Sequence, residues 1–154
     1  MLGKSCRWIS AGLISISLLG TGVASATGKD AHTQASSAWQ LQCVADQKSV
    51  GKDGSIGFHL MYHRVDNKKH TNEWVKVRLP KGLEIEDAAG AEWDQATSTL
   101  RWKLKDGHSN GAEVIHFKLK VKGDQHVGAR FDLNCSIGAD GEKEVVGTPV
   151  TVVV

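Results

Sequence analysis

Apolar and polar residues alternate with a period of two along most of this chain, in short runs bounded by Gly, Asp, Asn and Lys. Successive strand side chains point to opposite faces, so each run predicts a strand with one buried side. Residues 38–46 come first, with Trp39, Leu41, Cys43 and Ala45 on one face. Residues 55–63 follow, with Ile56, Phe58, Leu60 and Tyr62 in phase. After the charged loop 64–72, residues 73–79 align Val75, Val77 and Leu79 and stop at Pro80, which has no N–H for a ladder. Pro80-Lys81-Gly82 reads as a turn in which Gly82 is free to take positive φ. Residues 83–86 make a short strand, and 88–94 a connection carrying Trp93. Residues 99–105 align Leu100, Trp102 and Leu104; residues 112–122 align Ile115, Phe117, Leu119 and Val121. Residues 128–137 align Phe131, Leu133, Cys135 and Ile137. Residues 145–154 form the last strand, with Pro149 implying an edge position or an interruption. No helical period of convincing length competes. The pattern predicts an all-β, antiparallel Ig-like or Greek-key sandwich of about seven to nine strands, with an eight-stranded barrel as the alternative.

The first 26 residues follow another rule. Lys4 and Arg7 precede an apolar run over 9–19, and Ala24-Ser25-Ala26 forms a small-x-small cleavage site. That order reads as a secretory signal peptide, too short in its apolar run to span a bilayer. Residues 27–37 are small and polar and read as a flexible arm, leaving 38–154 as one domain. Cleavage near Ala26 predicts a secreted or periplasmic protein with no membrane span in the mature chain. Removing Lys4 and Arg7 also takes the 19 basic residues to 17, equal to the 17 acidic ones. Net charge therefore gives no reason to expect a nucleic-acid partner.

Two of the three cysteines, Cys43 and Cys135, remain in the mature chain. An exported domain with two cysteines is most simply read as carrying one disulfide. Both fall in phase with the apolar face of their strands, so the bridge is expected inside the core. Metal or redox pairs are usually closely spaced, whereas these lie 92 positions apart.

The stretch from Val75 to Val121 resembles a bacterial surface-protein repeat module, the domain-of-unknown-function eleven family. The matching residues are Val75 through Leu83, with Leu79-Pro80-Lys81-Gly82-Leu83 ending a strand, then Trp93-Asp94. Leu100-Arg101-Trp102-Lys103-Leu104, a turn with Gly111 and the run from Val114 to Val121 complete the set. The resemblance implies an Ig-like sandwich in an adhesive or cell-envelope protein and brings no catalytic residues with it. Family modules usually stand in tandem and lack this cysteine pair. A free exported protein is therefore expected rather than a wall-anchored one.

Three sets of side chains could carry chemistry. His59, Met61 and His63 alternate along one strand and offer imidazole and thioether ligands of a kind suited to copper. Residues four apart on a strand are separated by about 13 Å, so a neighbour such as His116 would have to contribute. Trp74, Lys76, Arg78, Arg101, Lys103, Lys105, Lys118, Lys120 and Lys122 all take the outward phase of three strands. If those strands were neighbours they would form a basic face with one aromatic, able to hold an anionic glycan, a lipid headgroup or nucleic acid. An ordinary solvated sheet face explains the same lysines, which also discourage edge pairing, and is the favoured account. No nucleophile–base pairing can be argued from spacing. The expectation is a non-enzymatic protein with no cofactor and a structural, adhesive or envelope role. Its partner would be an envelope or extracellular polymer or another protein; oligomeric state is not legible.

Overall fold

The computed structural model describes residues 38–105 and 111–154. The expected signal peptide, the arm and most of the 106–111 turn lie outside the described residues. The strands are β1 (Trp39–Ala45), β2 (Ser55–Arg64), β3 (Trp74–Arg78), β4 (Leu83–Asp87) and β5 (Glu92–Asp94). After them come β6 (Thr99–Lys103), β7 (Glu113–Val121), β8 (Arg130–Gly138), β9 (Val145–Val146) and β10 (Val150–Val153). They form two antiparallel sheets, a first of order β1-β2-β7-β4 and a second of order β10-β8-β3-β6-β5 with β9 also on β8. The expected sandwich is the fold, and the barrel alternative is not.

The alternation explains the packing. On the first sheet Ile56, Phe58 and Leu60 lie opposite Leu119, Phe117 and Ile115, and the two Phe rings stack 5.1 Å apart. On the second, Val75 sits between Trp102 and Ile137, and Val77 between Leu100 and Cys135. These inward faces make one buried core. Each large aliphatic or aromatic side chain in it contributes roughly 1.5–3 kcal/mol through burial. Trp39 and Trp102 take the inward positions their phase assigns them, and the Trp102 indole N–H donates to the carbonyls of Ala88 and Ala89 at 3.1 and 3.2 Å.

Two segments differ from the sequence reading. The connection 88–94 ends in a real strand, β5, paired on the edge with β6. Three residues are too few to show alternation. What makes the hairpin is its turn: the Asp94 carboxylate accepts from the Ala96 N–H at 2.9 Å and the Thr97 hydroxyl at 2.7 Å, and Ser98 has φ 52°. The closing strand is split into β9 and β10. Val146 pairs with Ser136 and Val150 with Leu133, so four steps on one side meet three on the other. The extra residue falls in Gly147-Thr148-Pro149, which is the interruption Pro149 implied. Gly82 has φ 99°, and a Cβ there would lie 2.7 Å from Phe131, so the turn at Pro80 requires glycine.

Candidate binding face

The outer face of the second sheet brings distant outward residues into rows, because antiparallel register places cross-strand partners side by side. One row runs Glu92, Arg101, Lys76, Ser136, Val146 from β5 through β6, β3 and β8 to β9. The next runs Asp94, Thr99, Arg78, Asn134. A third sets Lys103 beside Trp74 and Trp74 beside Gly138. Two shallow troughs flank the central cations. The larger, about 400 Å³, lies toward β5 between Lys76, Arg101, Thr99, Trp93 and Glu92. The smaller, about 240 Å³, lies toward β9 between Lys76, Arg78, Asn134, Ser136, Glu144 and Val146. Among the described residues, the ion pairs are His59–Asp46, Arg64–Glu73, His70–Asp66 and His70–Glu142. Lys76, Arg78, Arg101 and Lys103 take part in none of them.

Trp74 is not an open stacking platform. Its ring packs on Gly138, where a Cβ would lie 2.7 Å from the indole, and the Lys76 ammonium sits 3.8 Å from the ring centroid on this face. Only 9% of the residue is exposed. Its contribution is to hold Lys76 by a cation–π contact, with Arg101 at 5.9 Å. The exposed aromatic is Trp93, at 43%.

The outward cations do not form one patch. Lys118, Lys120 and Lys122 belong to β7 and its end, in the first sheet. Lys120 lies opposite Glu84 and Lys118 opposite Asp87 on β4, so carboxylates interleave with them. Of the other five, Lys76, Arg78, Arg101 and Lys103 sit on the second sheet, and Lys105 lies two residues past the end of β6.

The proposed ligand trio is not brought together either. His63 lies opposite Gln40, Met61 between Gln42 and Val114, and only His59 meets another imidazole, that of His116. Among the described residues, no group of three or more His, Cys, Asp or Glu is arranged around a common metal position.

Cys43 and Cys135 do meet, inside the core as their phase requires. The structure carries them as two buried thiols, not as the expected disulfide. The Cys135 side chain beside it, and then burial, push the Cys43 thiol above its ordinary range. The strands meet because Gly147 leaves space: its Cβ would lie 2.6 Å from the Cys135 sulfur.

A buried polar cluster at one end of the sandwich was not anticipated. Glu73 is 2% exposed, pairs with Arg64 and accepts from the Trp39 indole N–H at 3.2 Å. Glu73 takes the inward phase of Val75 and Val77, a carboxylate where the pattern calls for an apolar residue, and that was the available signal. His70 sits beside Trp39, ring centroids 4.5 Å apart, between Asp66 and Glu142. It lies in a loop without periodicity, so nothing local marked it. Nearby, burial and then the hydrogen bond to Glu113 push the Tyr62 hydroxyl above the phenol range, keeping it a donor.

Burial works to raise the Asp66 carboxyl, but the His70 ring and the Lys68 N–H outweigh it and hold the group below its ordinary value of 3.8. A group depressed in the folded state binds fewer protons folded than unfolded. It adds stability above its unfolded value and loses it as pH falls through the folded one. Urea-measured stability is therefore expected to drop below pH 3.8. Asp66→Asn should flatten that slope, and an identical slope in the variant would count against the assignment.

No protein-family model and no curated protein sequence matches the chain. Solved structures do, at the level of fold. The N-terminal domain of the Streptococcus gordonii adhesin Sgo0707 aligns over 75% of this chain and 32% of its own, with TM-score 0.61 and 10% identity. The major pilin SpaD of Corynebacterium diphtheriae aligns over 73% and 35%, with TM-score 0.56 and 12% identity. A cohesin ScaC of Acetivibrio cellulolyticus, solved with the ScaB dockerin, aligns over 75% and 99%, with TM-score 0.53 and 11% identity. The chain thus spans about a third of the adhesin and pilin structures and nearly all of the cohesin. These likenesses establish an Ig-like β-sandwich of the kind used in adhesin, pilin and cohesin domains.

Proposed function

We propose that this chain is an exported, non-catalytic β-sandwich with an adhesive or structural role, docking a protein or extracellular polymer on the outer face of its second sheet. One observation carries the reading: Lys76, Arg78, Arg101 and Lys103 share that face, the first three lining its two troughs, and among the described residues none of the four is in an ion pair, although Glu92 lies opposite Arg101. Support comes from the leader-like order of residues 1–26, the resemblance of 75–121 to a surface-protein module, and the fold of the solved neighbours. Those neighbours include a cohesin solved with its dockerin, which makes a protein partner a reasonable occupant.

Unpaired surface cations act through attraction that salt screens over about 10 Å at 0.1 M. Binding to immobilised matrix proteins and anionic polysaccharides should be measured at low and moderate salt. Lys76→Glu with Arg101→Glu is expected to weaken binding at least tenfold and to remove most of its salt dependence. Lys118→Glu with Lys120→Glu, on the other sheet, should change it little. Equal losses from the two pairs, or no binding across the panel, would sink the proposed face.

A further inference from the structure

The first sheet carries a separate arrangement that the protein-docking reading does not use. His59 on β2 and His116 on β7 are direct cross-strand partners, their rings meeting edge-to-face at 4.5 Å. The Asp46 carboxylate contacts His59 Nε2. It reaches that position because the residue between them in space is Gly57. Asp46 N–H donates to the Gly57 carbonyl at 2.9 Å, and a Cβ on Gly57 would overlap the Asp46 carboxylate. A glycine in the middle of a strand weakens it unless something must come close, and here the carboxylate does.

We propose that His59 and His116 form a two-imidazole site for a late first-row divalent metal ion, oriented by Asp46. The chemistry of the set supports this. With Nε2–H donated to Asp46, His59 keeps its Nδ1 lone pair for an ion. A carboxylate holding the far nitrogen of a ligating histidine fixes its tautomer and raises its basicity. Two neighbouring nitrogens on one ion lie roughly 2.9 Å apart in the tetragonal geometry of Cu²⁺ and roughly 3.3 Å apart in a tetrahedral one, given metal–nitrogen bonds of about 2.05 Å. Adjacent antiparallel strands hold paired side chains at that scale, with Cβ atoms about 4.5–5.5 Å apart. Asp46 acts on His59 rather than on the ion, which is consistent with no three-ligand cluster among the described residues. His63, four residues along β2, is about 13 Å away and takes no part. Imidazole ligands with open positions favour Cu²⁺ over Zn²⁺ in intrinsic affinity.

The test is titration of the full chain with Cu²⁺ alone, read by calorimetry and by electron paramagnetic resonance, with circular dichroism confirming the fold of each variant. The tightest site should bind one ion and show two imidazole nitrogens. His116→Gln and His59→Gln should each weaken it at least tenfold and remove one nitrogen from the spectrum. Asp46→Asn should weaken it about 10–100-fold while both nitrogens remain, as for an orienting partner. His63→Gln should leave it unchanged. Absence of binding, an unchanged tightest site in His116→Gln, or an equal loss in His63→Gln would overturn the assignment.

Discussion

Oxidation of Cys43 and Cys135 to one disulfide is expected to stabilise the chain by about 4–5 kcal/mol against urea. The figure follows from chain entropy: the bridge would close a loop spanning 92 positions and so restrict the unfolded ensemble far more than the folded one. The folded state is prepared for it. Cys43 lies on β1 at the edge of the first sheet, Cys135 on β8 in the second, and both are buried in the same core. A bridge there would tie the sheets together through the core. Each sulfur gives up one proton and one electron, and an oxidant such as glutathione disulfide takes them to become two thiols. The measurement compares urea midpoints after equilibration with glutathione disulfide and after treatment with a reductant. A Cys43→Ala, Cys135→Ala chain should not respond to either. Two thiols persisting by mass spectrometry after oxidation, or coincident midpoints, would defeat the prediction.

Glu73→Ala is expected to destabilise the domain by about 3–5 kcal/mol, comparable to the largest effects of single substitutions. Glu73 is almost fully buried, and its carboxylate faces the guanidinium of Arg64, whose side chain is only 9% exposed. Removing the carboxylate leaves a buried positive charge without its counterion. Among the described residues, Arg64 Nε already lacks a hydrogen-bond partner, so little local capacity exists to absorb the loss. Replacing both members together, Arg64→Met with Glu73→Leu, should cost much less, because desolvation of the two charges offsets most of their attraction. Urea unfolding at constant slope checks both variants. A single substitution no worse than the double would show that the pair is not held as an ion pair in the core.

The Glu73 case also marks where sequence reasoning stopped. Val75 and Val77 identified the inward phase of β3, and Glu73 shares it, yet the residue that neutralises it comes from the end of β2. His70 gave no signal, since its loop lacks any period. Trp74 is outward in phase, as its alternation with Val75 predicts, but it is not open to a ligand. Its partner is Gly138, and only the pairing of β3 with β8 shows that a glycine lies under the ring. β5 escaped notice because three residues carry no alternation, and the Asp94 turn that makes it a strand depends on side-chain hydrogen bonds.

What the sequence determined by itself was each strand's inward and outward face, and hence the class of fold and the core. Period-two alternation is a local property, and Phe58, Leu100, Phe117 and Leu133 are buried as their phase requires. The meeting of Cys43 with Cys135 was legible for the same reason, because both are inward. Which outward residues meet was decided only by the tertiary structure. Lys76 gains Arg101 as its neighbour, Lys120 gains Glu84, and His59 gains His116 instead of His63. Those pairings depend on strand order and register. The long-range packing of the inward faces sets both, and leaves no trace in the spacing of the outward ones.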